Sequence, residues 1–263
     1  MALSIPKVAN WLAQVDKARA VVGRWPAQFE TDDERLAYKV QDAFLKKQMV
    51  KQGPLAGYKI ALTSPQILQQ TGLKGPCYGP IRRKRVFEHK ASVRADRWTR
   101  LGVELEVVFV IGADVPKPKA GPYDKDSIAD YVGEARAGFE LIEDRGADYS
   151  RLAVNPLIMD AGWNGGSLLA KPNKNWKNLD IGNLDGSIAF DGKVVRTGNS
   201  GDVLGHCYNA LAWLANKLIS HGKHLKAGDV VLTGSVHPPQ FLPGPGKAKT
   251  EFVGLGGAEI TVK

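Results

Sequence analysis

The feature that most constrains this chain is the run Val103-Glu104-Leu105-Glu106-Val107-Val108-Phe109-Val110-Ile111. It is dense in β-branched and aromatic side chains, and its only polar groups are two glutamates. Such a run extends as a strand. Alternation puts Glu104 and Glu106 on one face and Val103, Leu105, Val107 and Phe109 on the other. A strand with one wet face would tolerate glutamates, but here the glutamate face continues into Val108 and Val110. Both carboxylates are therefore expected at the mouth of a buried region. There they repel each other and lose hydration unless a cation joins them. Hard carboxylate oxygens favour magnesium, manganese or calcium over zinc. A third acid, Glu140, also interrupts an apolar run, Gly138-Phe139-Glu140-Leu141-Ile142. On the residues alone it is equally a strand-edge group paired to Arg136 or Arg145, with Glu143 and Asp144 as competing acids.

Around this run the chain reads as mixed α/β. Residues 5–22 have helical spacing, and Thr31 with Glu34 forms a capping box opening a second helix to about Val50. These helices make an N-terminal extension over 1–55, with 56–263 as one folding unit. A strand is expected over 58–62 and a short helix, opened by Ser64, over 65–70. A helix is expected over 126–141, leading into a strand around 139–142. Asp191-Gly192 marks a hairpin between 187–190 and 193–196. A strong helix is expected over 202–220, opened near His206, and closing strands over 230–232 and 259–262. The irregular spacing does not fit a doubly wound parallel sheet.

The net charge of +9 raises the question of nucleic acid. The one dense basic run, Arg82 to Arg85, reads as a solvated turn or strand edge, and no recognition helix or zinc module accompanies it. A positive field would still draw in a small carboxylate. No run of about 18 apolar residues is present, so no membrane span is expected. The first twenty residues read as an amphipathic helix rather than a signal peptide. Cys77 and Cys207 form no disulfide framework, which fits a reducing cytoplasm.

Nearly the whole chain resembles the fumarylacetoacetate hydrolase superfamily, in its 2-keto-4-pentenoate hydratase and 4-oxalocrotonate decarboxylase branch. The matching pieces stand in the family's order. They are AYKVQ at 37–41, GYKIALTS at 57–64, PCYGPI at 76–81, GVELEVVFVIG at 102–112 and FELIEDR at 139–145. DAGWNGGSLLA at 160–170, VLGHCYNALAWLANKL at 203–218, AGDVVLTGS at 227–235 and GLGGAEI at 254–260 follow. The resemblance implies an α+β fold with a mixed β-roll or sandwich core and peripheral helices. It implies that Glu104, Glu106 and Glu140 hold one divalent metal, magnesium first, with manganese or calcium as alternatives. It brings Lys59 into the site as a catalytic group, although its strand alone would make it a surface residue. It also implies a substrate pocket lined by Ser64, Asp160, Trp163, Asn164, Thr233, Gly234 and Ser235, with the 233–235 backbone and hydroxyls free to hold a carboxylate.

The implied substrate is a small 2-oxo or 2-hydroxy carboxylate from aromatic catabolism, and the implied reaction is hydration of a 2-hydroxy-2,4-dienoate by a homo-oligomer. A 4-oxalocrotonate-type decarboxylase, C–C bond hydrolysis, and a non-catalytic assembly subunit of a hydratase/decarboxylase complex are the alternatives. Two departures bear on the reaction. The branch's P-D-F-G segment is Pro76-Cys77-Tyr78-Gly79 here, so Cys77 takes the catalytic position at the substrate's far end. A thiol serves as base there only with a lowered pKa, and Cys77 is closer to the apolar residue that the decarboxylases of the branch carry at this position. The segment Asp160-Ala161-Gly162-Trp163-Asn164 replaces the branch's D-N-A-S form and brings Trp163 to the pocket.

Overall fold

The computed structural model describes residues 3–65, 68, 69, 73 and 75–263. Two helices come first, α1 (Ile5–Ala18) and α2 (Glu34–Gln52). The N-cap expected at Thr31 falls two residues later, at Asp33, as a single cap bond and not a capping box. The Asp33 carboxylate accepts from the N–H of Leu36, and the Thr31 hydroxyl accepts from the N–H of Asp33. Val8, Ala9 and Leu12 of α1 and Ala37, Val40 and Phe44 of α2 are fully buried in the same apolar cluster as the sheet.

The larger sheet is organised around β5 (Leu101–Ile111), which pairs along its length with the antiparallel β6 (Val132–Glu143). Beyond β6 lie β7 (Asn164–Leu169) and the short parallel β3 (Val86–Glu88). On the other side β5 meets β10 (Val230–Leu232), then β1 (Leu55–Ala61), then β2 (Cys77–Arg82), with β11 (Gln240–Phe241) added at the start of β5. The second sheet runs β4 (Lys90–Val93), β13 (Gly256–Val262), β12 (Gly246–Phe252), β8 (Asp185–Phe190) and β9 (Lys193–Asn199). The β8–β9 hairpin turns at Asp191-Gly192, both at positive φ, as a two-residue turn requires. Helices α3 (Lys125–Ala129), α4 (Val154–Met159) and α5 (Cys207–Ser220) complete the layers.

Both faces of β5 are buried. Val103, Leu105, Val107 and Phe109 enter the main cluster, whereas Val108 joins a separate one with Ala56, Ile81, Leu169, Val230 and Leu232. The glutamate face thus ends in its own small apolar layer, as alternation requires.

Three expectations fail. Residues 126–141 are not one helix, because α3 stops at Ala129 and Val132 onward is strand. The alanine-rich stretch has helical propensity, but Gly133 and Gly138 weaken a helix and ladders on both sides stabilise the strand. The helix expected from 202 starts at Cys207, with a 3-10 turn over 200–202, and His206 is its N-cap, accepting on Nδ1 from the N–H of Tyr208. Arg82 is not solvated. It is buried in β2 and donates to the carbonyls of Pro80 and Asn164 and to Gln52 Oε1. Of the short helix expected over 65–70, positions 66, 67 and 70 lie outside the described residues.

Candidate active site

The β5–β6 register builds the site. Glu104 stands directly opposite Glu140, and Glu106 opposite Gly138. Cross-strand partners in an antiparallel pair share a face. All three carboxylates therefore project to the same side, with ligand oxygens within 4.8 Å of one another. Glu143 is an odd number of residues from Glu140 and faces away, accepting from the N–H groups of Thr99 and Arg145. Arg136 is taken by Glu134 and Glu88, and Arg145 by Asp160 and Asp16, so neither pairs with Glu140. Lys59 does, with its Nζ 3.0 Å from Glu140 Oε2. It arrives by topology: β1 pairs with β10, β10 with β5, and Lys59 lies beside Leu232, itself opposite Val108.

The trio is more buried than its strand alone required, with Glu106 and Glu140 at 0% exposure and Glu104 at 7%. Each is positioned by a short polar contact or by the ladder. The N–H of Gly234 donates to Glu106 Oε2 at 2.6 Å, and the Asn164 amide donates to Glu140 Oε1 at 2.8 Å. Gly234 sits at φ 111°, and a Cβ there would lie 2.0 Å from the Thr63 hydroxyl, so no other residue can present that N–H.

The electrostatics are unbalanced. Three carboxylates face one ammonium. Burial, with Glu140 adding to it against Lys59, pushes Glu104 up to about 8, and burial with both neighbouring carboxylates holds Glu106 well above the usual range. Burial would depress Lys59, but the three glutamates outweigh it and keep it firmly protonated. Glu106 Oε1 is buried and accepts no hydrogen bond, and the one cation at Glu140 Oε2 among the described residues is the Lys59 ammonium. Three clustered carboxylates with excess negative charge, one of their oxygens without a hydrogen bond, fit a hard divalent cation.

A stability consequence follows. A group whose pKa is raised by folding stabilises the fold fully below its unfolded pKa and loses that contribution as pH rises through its folded pKa. With Glu104 moved from 4.5 to about 8, the metal-free protein should melt at lower temperature as pH rises from about 5 to 8. The rise in melting temperature on adding Mn2+ should be larger at pH 8 than at pH 6. A metal-free melting temperature flat across this range would contradict the cluster's charge imbalance.

A narrow cavity opens beside Glu104 and Lys59. Its walls are Thr63, Ile142, Tyr149, Leu157, Trp163 and Ser235, closed at one side by Pro239. Trp163 reaches it on an unusual turn, in which Ala161, Gly162 and Trp163 all have φ near +60°. For the two non-glycine residues this costs about 1–3 kcal/mol each. The turn is pinned at its start by the Asp160–Arg145 ion pair of 2.7 Å and at its end by Asn164. It rests on Gly79, where a Cβ would lie 2.1 Å from the Ala161 carbonyl.

The structure brings together Lys59, the three glutamates, Trp163, Asn164 and Ser235, and it redistributes the other expected residues. Ser64 is buried beside Thr63, which lines the cavity in its stead. Asp160 anchors the turn through Arg145. The 233–235 segment is committed internally: Thr233 Oγ1 donates to the Val107 carbonyl, the N–H of Gly234 to Glu106, and Ser235 Oγ to the His237 carbonyl. The carboxylate held by this loop is thus Glu106 of the chain itself. The setting of Cys77 argues against a base and fits the apolar position of the decarboxylase pattern. Cys77 opens β2 opposite Ala61 with no exposure, and burial pushes its thiol up to about 12 despite Lys59 nearby. A thiol neutral at physiological pH is a packing group. Cys77→Ala should leave metal-dependent turnover within severalfold of wild type and cost about 1 kcal/mol in chemical denaturation. Tyr149, Leu157 and Pro239 carry no spacing signal that would have placed them here. They come from loops and from α4.

Comparison with known proteins gives the family and the fold. Residues 80–263 match the C-terminal domain model of fumarylacetoacetate (FAA) hydrolase, and the chain belongs to that family. It is similar to a 2-keto-4-pentenoate hydratase of Paraburkholderia phymatum, 25% identical over 96% of this chain and 95% of the relative. It is also similar to a 2-oxo-hept-4-ene-1,7-dioate hydratase of Escherichia coli, 27% identical over 88% of each chain. The fold matches a 4-oxalocrotonate decarboxylase from Pseudomonas putida G7, solved with magnesium and adipate, at a TM-score of 0.89 over 100% of this chain and 99% of that one, with 20% identity. Among the described residues no helix is long and apolar enough to cross a membrane.

Proposed function

We propose that this enzyme is a metal-dependent lyase that adds water to a small 2-hydroxy-2,4-dienoate, with Glu104, Glu106 and Glu140 holding one divalent cation, magnesium first. The observation that carries the reading is the convergence of three buried glutamates and one buried lysine, of which Glu104 and Lys59 line a narrow cavity. The relatives named as hydratases support the same reading. A divalent cation in this cradle supplies Lewis acidity toward the carboxylate and C2 oxygens of a 2-oxo acid head. Lys59 sets a fixed positive charge beside those oxygens and holds the proton nearest them. Trp163 and Tyr149, whose ring centroids lie 5.7 Å apart, wall the tail side and exclude bulk water from a flat conjugated chain. Leu157 and Ile142 make that wall apolar. Lys59 is the only cation among the described lining residues, which favours a tail without a second carboxylate.

A decarboxylase is the second reading. Among the described lining residues no carboxylate or imidazole stands at the tail end to activate water, and loss of CO2 needs none. The test follows the absorbance of 2-hydroxypenta-2,4-dienoate with Mg2+ or Mn2+, alongside CO2 release from 4-oxalocrotonate. Metal-dependent loss of the dienoate signal without CO2 supports hydration, and CO2 release selects the second reading. No metal-dependent change with either substrate would sink both and leave a non-catalytic assembly role. Trp163→Ala should raise KM for the dienoate on the order of tenfold through lost contact with the conjugated chain, and an unchanged KM would remove Trp163 from the pocket wall. A homo-oligomer working in the cytoplasm on products of aromatic breakdown completes this reading on the family resemblance.

A further inference from the structure

A second polar cavity, of about 260 Å³, lies on the other side of the 161–163 turn from the glutamates. That is several times the roughly 30 Å³ share of one water. Five arginines line it: Arg19 and Arg97 at an exposed rim, half-buried Arg85, and buried Arg82 and Arg145. The acids in the lining are Asp16, Glu143 and Asp160, and each is already engaged. Asp16 and Asp160 share Arg145, and Glu143 accepts two backbone N–H groups. Four guanidiniums therefore face the cavity without a carboxylate of their own. Arg82 donates only to neutral acceptors. Arg97 reaches Asp96 only at 3.9 Å, and Asp96 is already held at two oxygens by Arg94. Among the described residues Arg19 and Arg85 have no ion pair within 4.0 Å.

Arg82, at 3% exposure beside Arg85 and Arg145, is only partly compensated by Asp16 and Asp160, which Arg145 holds, and a further anion would lower the cost of burying it. Burial lowers the Arg82 pKa to about 10 in spite of Asp16 and Asp160, with Arg85 and Arg145 adding to the fall. The lining holds two further unsatisfied groups, Gln48 Oε1 and Asp160 Oδ1, both buried acceptors without a donor. A hydrogen phosphate, with its one O–H, would donate to one of the two. Trp98, which packs against Gly165, and Trp163 form the apolar part of the wall.

We propose that this cavity binds a small oxyanion, a phosphate or carboxylate group, between Arg82 and Arg85 on the inside and Arg19 and Arg97 at the rim. The cavity shares Trp163 and Asn164 with the candidate active site but contains none of the three glutamates, and the proposal does not depend on the reaction assigned there. The planar guanidinium fork matches either group with paired hydrogen bonds.

The test titrates metal-free protein with inorganic phosphate and, separately, with succinate. It uses calorimetry and tryptophan fluorescence, with sodium chloride at matched ionic strength as control. Saturable binding above the chloride control is expected, with a fluorescence change that Trp98→Phe reduces. Arg85→Gln/Arg97→Gln should weaken it at least tenfold. If that variant does not fold, Arg97→Gln alone, an exposed position, should weaken it several-fold. Tighter phosphate binding identifies a phosphoryl ligand, and tighter succinate binding a carboxylate one. No titration above chloride, or affinity in the arginine variants within twofold of wild type, overturns the proposal. So does loss of oligomer mass in those variants with no anion bound, which would give the arginines to a contact between copies.

Discussion

Glu106→Gln should abolish divalent-metal binding while leaving the fold in place. The amide preserves shape, and Gln can still accept from the N–H of Gly234, now at 2.6 Å from a Glu106 oxygen. What it loses is one of three anionic ligands in a site with no exposure to water at that residue. Replacing groups that merely orient ligands already costs roughly 10–100-fold in affinity, so losing a ligand charge should cost more than about a hundredfold. Mn2+ titration by calorimetry reads this directly. The same substitution should raise the melting temperature of the metal-free protein at pH 8, because it removes repulsion from a cluster of three carboxylates that the Lys59 ammonium offsets only in part. Metal affinity lost together with a lower metal-free melting temperature would point to misfolding. Affinity retained within a few-fold would remove Glu106 from the ligand set.

Lys59→Met should have the opposite stability sign and an equal functional cost. Removing one partner of a buried ion pair strands the other charge, typically at about 3–5 kcal/mol. Here three carboxylates lose their common counter-ion, so the metal-free variant should melt well below wild type. Added Mn2+ should recover part of the difference, since the cation supplies the missing charge. Turnover should fall by roughly 10²–10⁴-fold, the usual contribution of a positioned proton donor, even at saturating metal. Recovery of near wild-type turnover once the site is metal-saturated would assign Lys59 a charge-balancing role only. Equal melting temperatures with and without Lys59 would contradict the ion pair itself.

The contrast between these two variants shows which parts of the site were readable in advance. The pairing of Glu104 with Glu106 came from periodicity, and the burial of both came from Val108 continuing their face. The structure bears this out in a second apolar cluster distinct from the main core. Glu140 was selected by family resemblance only. Its own segment looked helical upstream, and alternation along one strand says nothing about which residue of another strand stands opposite. Lys59 was invisible to local pattern for the same reason, because it reaches the carboxylates across two neighbouring strands. Arg82 was misread as surface because a basic run usually is one. The turn at 161–163 packs over β2 and leaves Arg82 under cover, with the Asn164 carbonyl as its partner. Cys77 was read as a far-end group from its place in a motif, but full burial leaves its thiol protonated and without access to water.

By itself, then, the sequence determined the strand that carries two of the three acids, the face they share and the need for a compensating cation. These are properties of one segment with a two-residue period and of the chemistry of buried like charges. The tertiary structure decided which acid joins them, which cation balances them and which arginines are withdrawn from solvent. Those depend on register between distant strands, and a slip of one residue between β5 and β6 would turn Glu140 to the opposite face and dissolve the site.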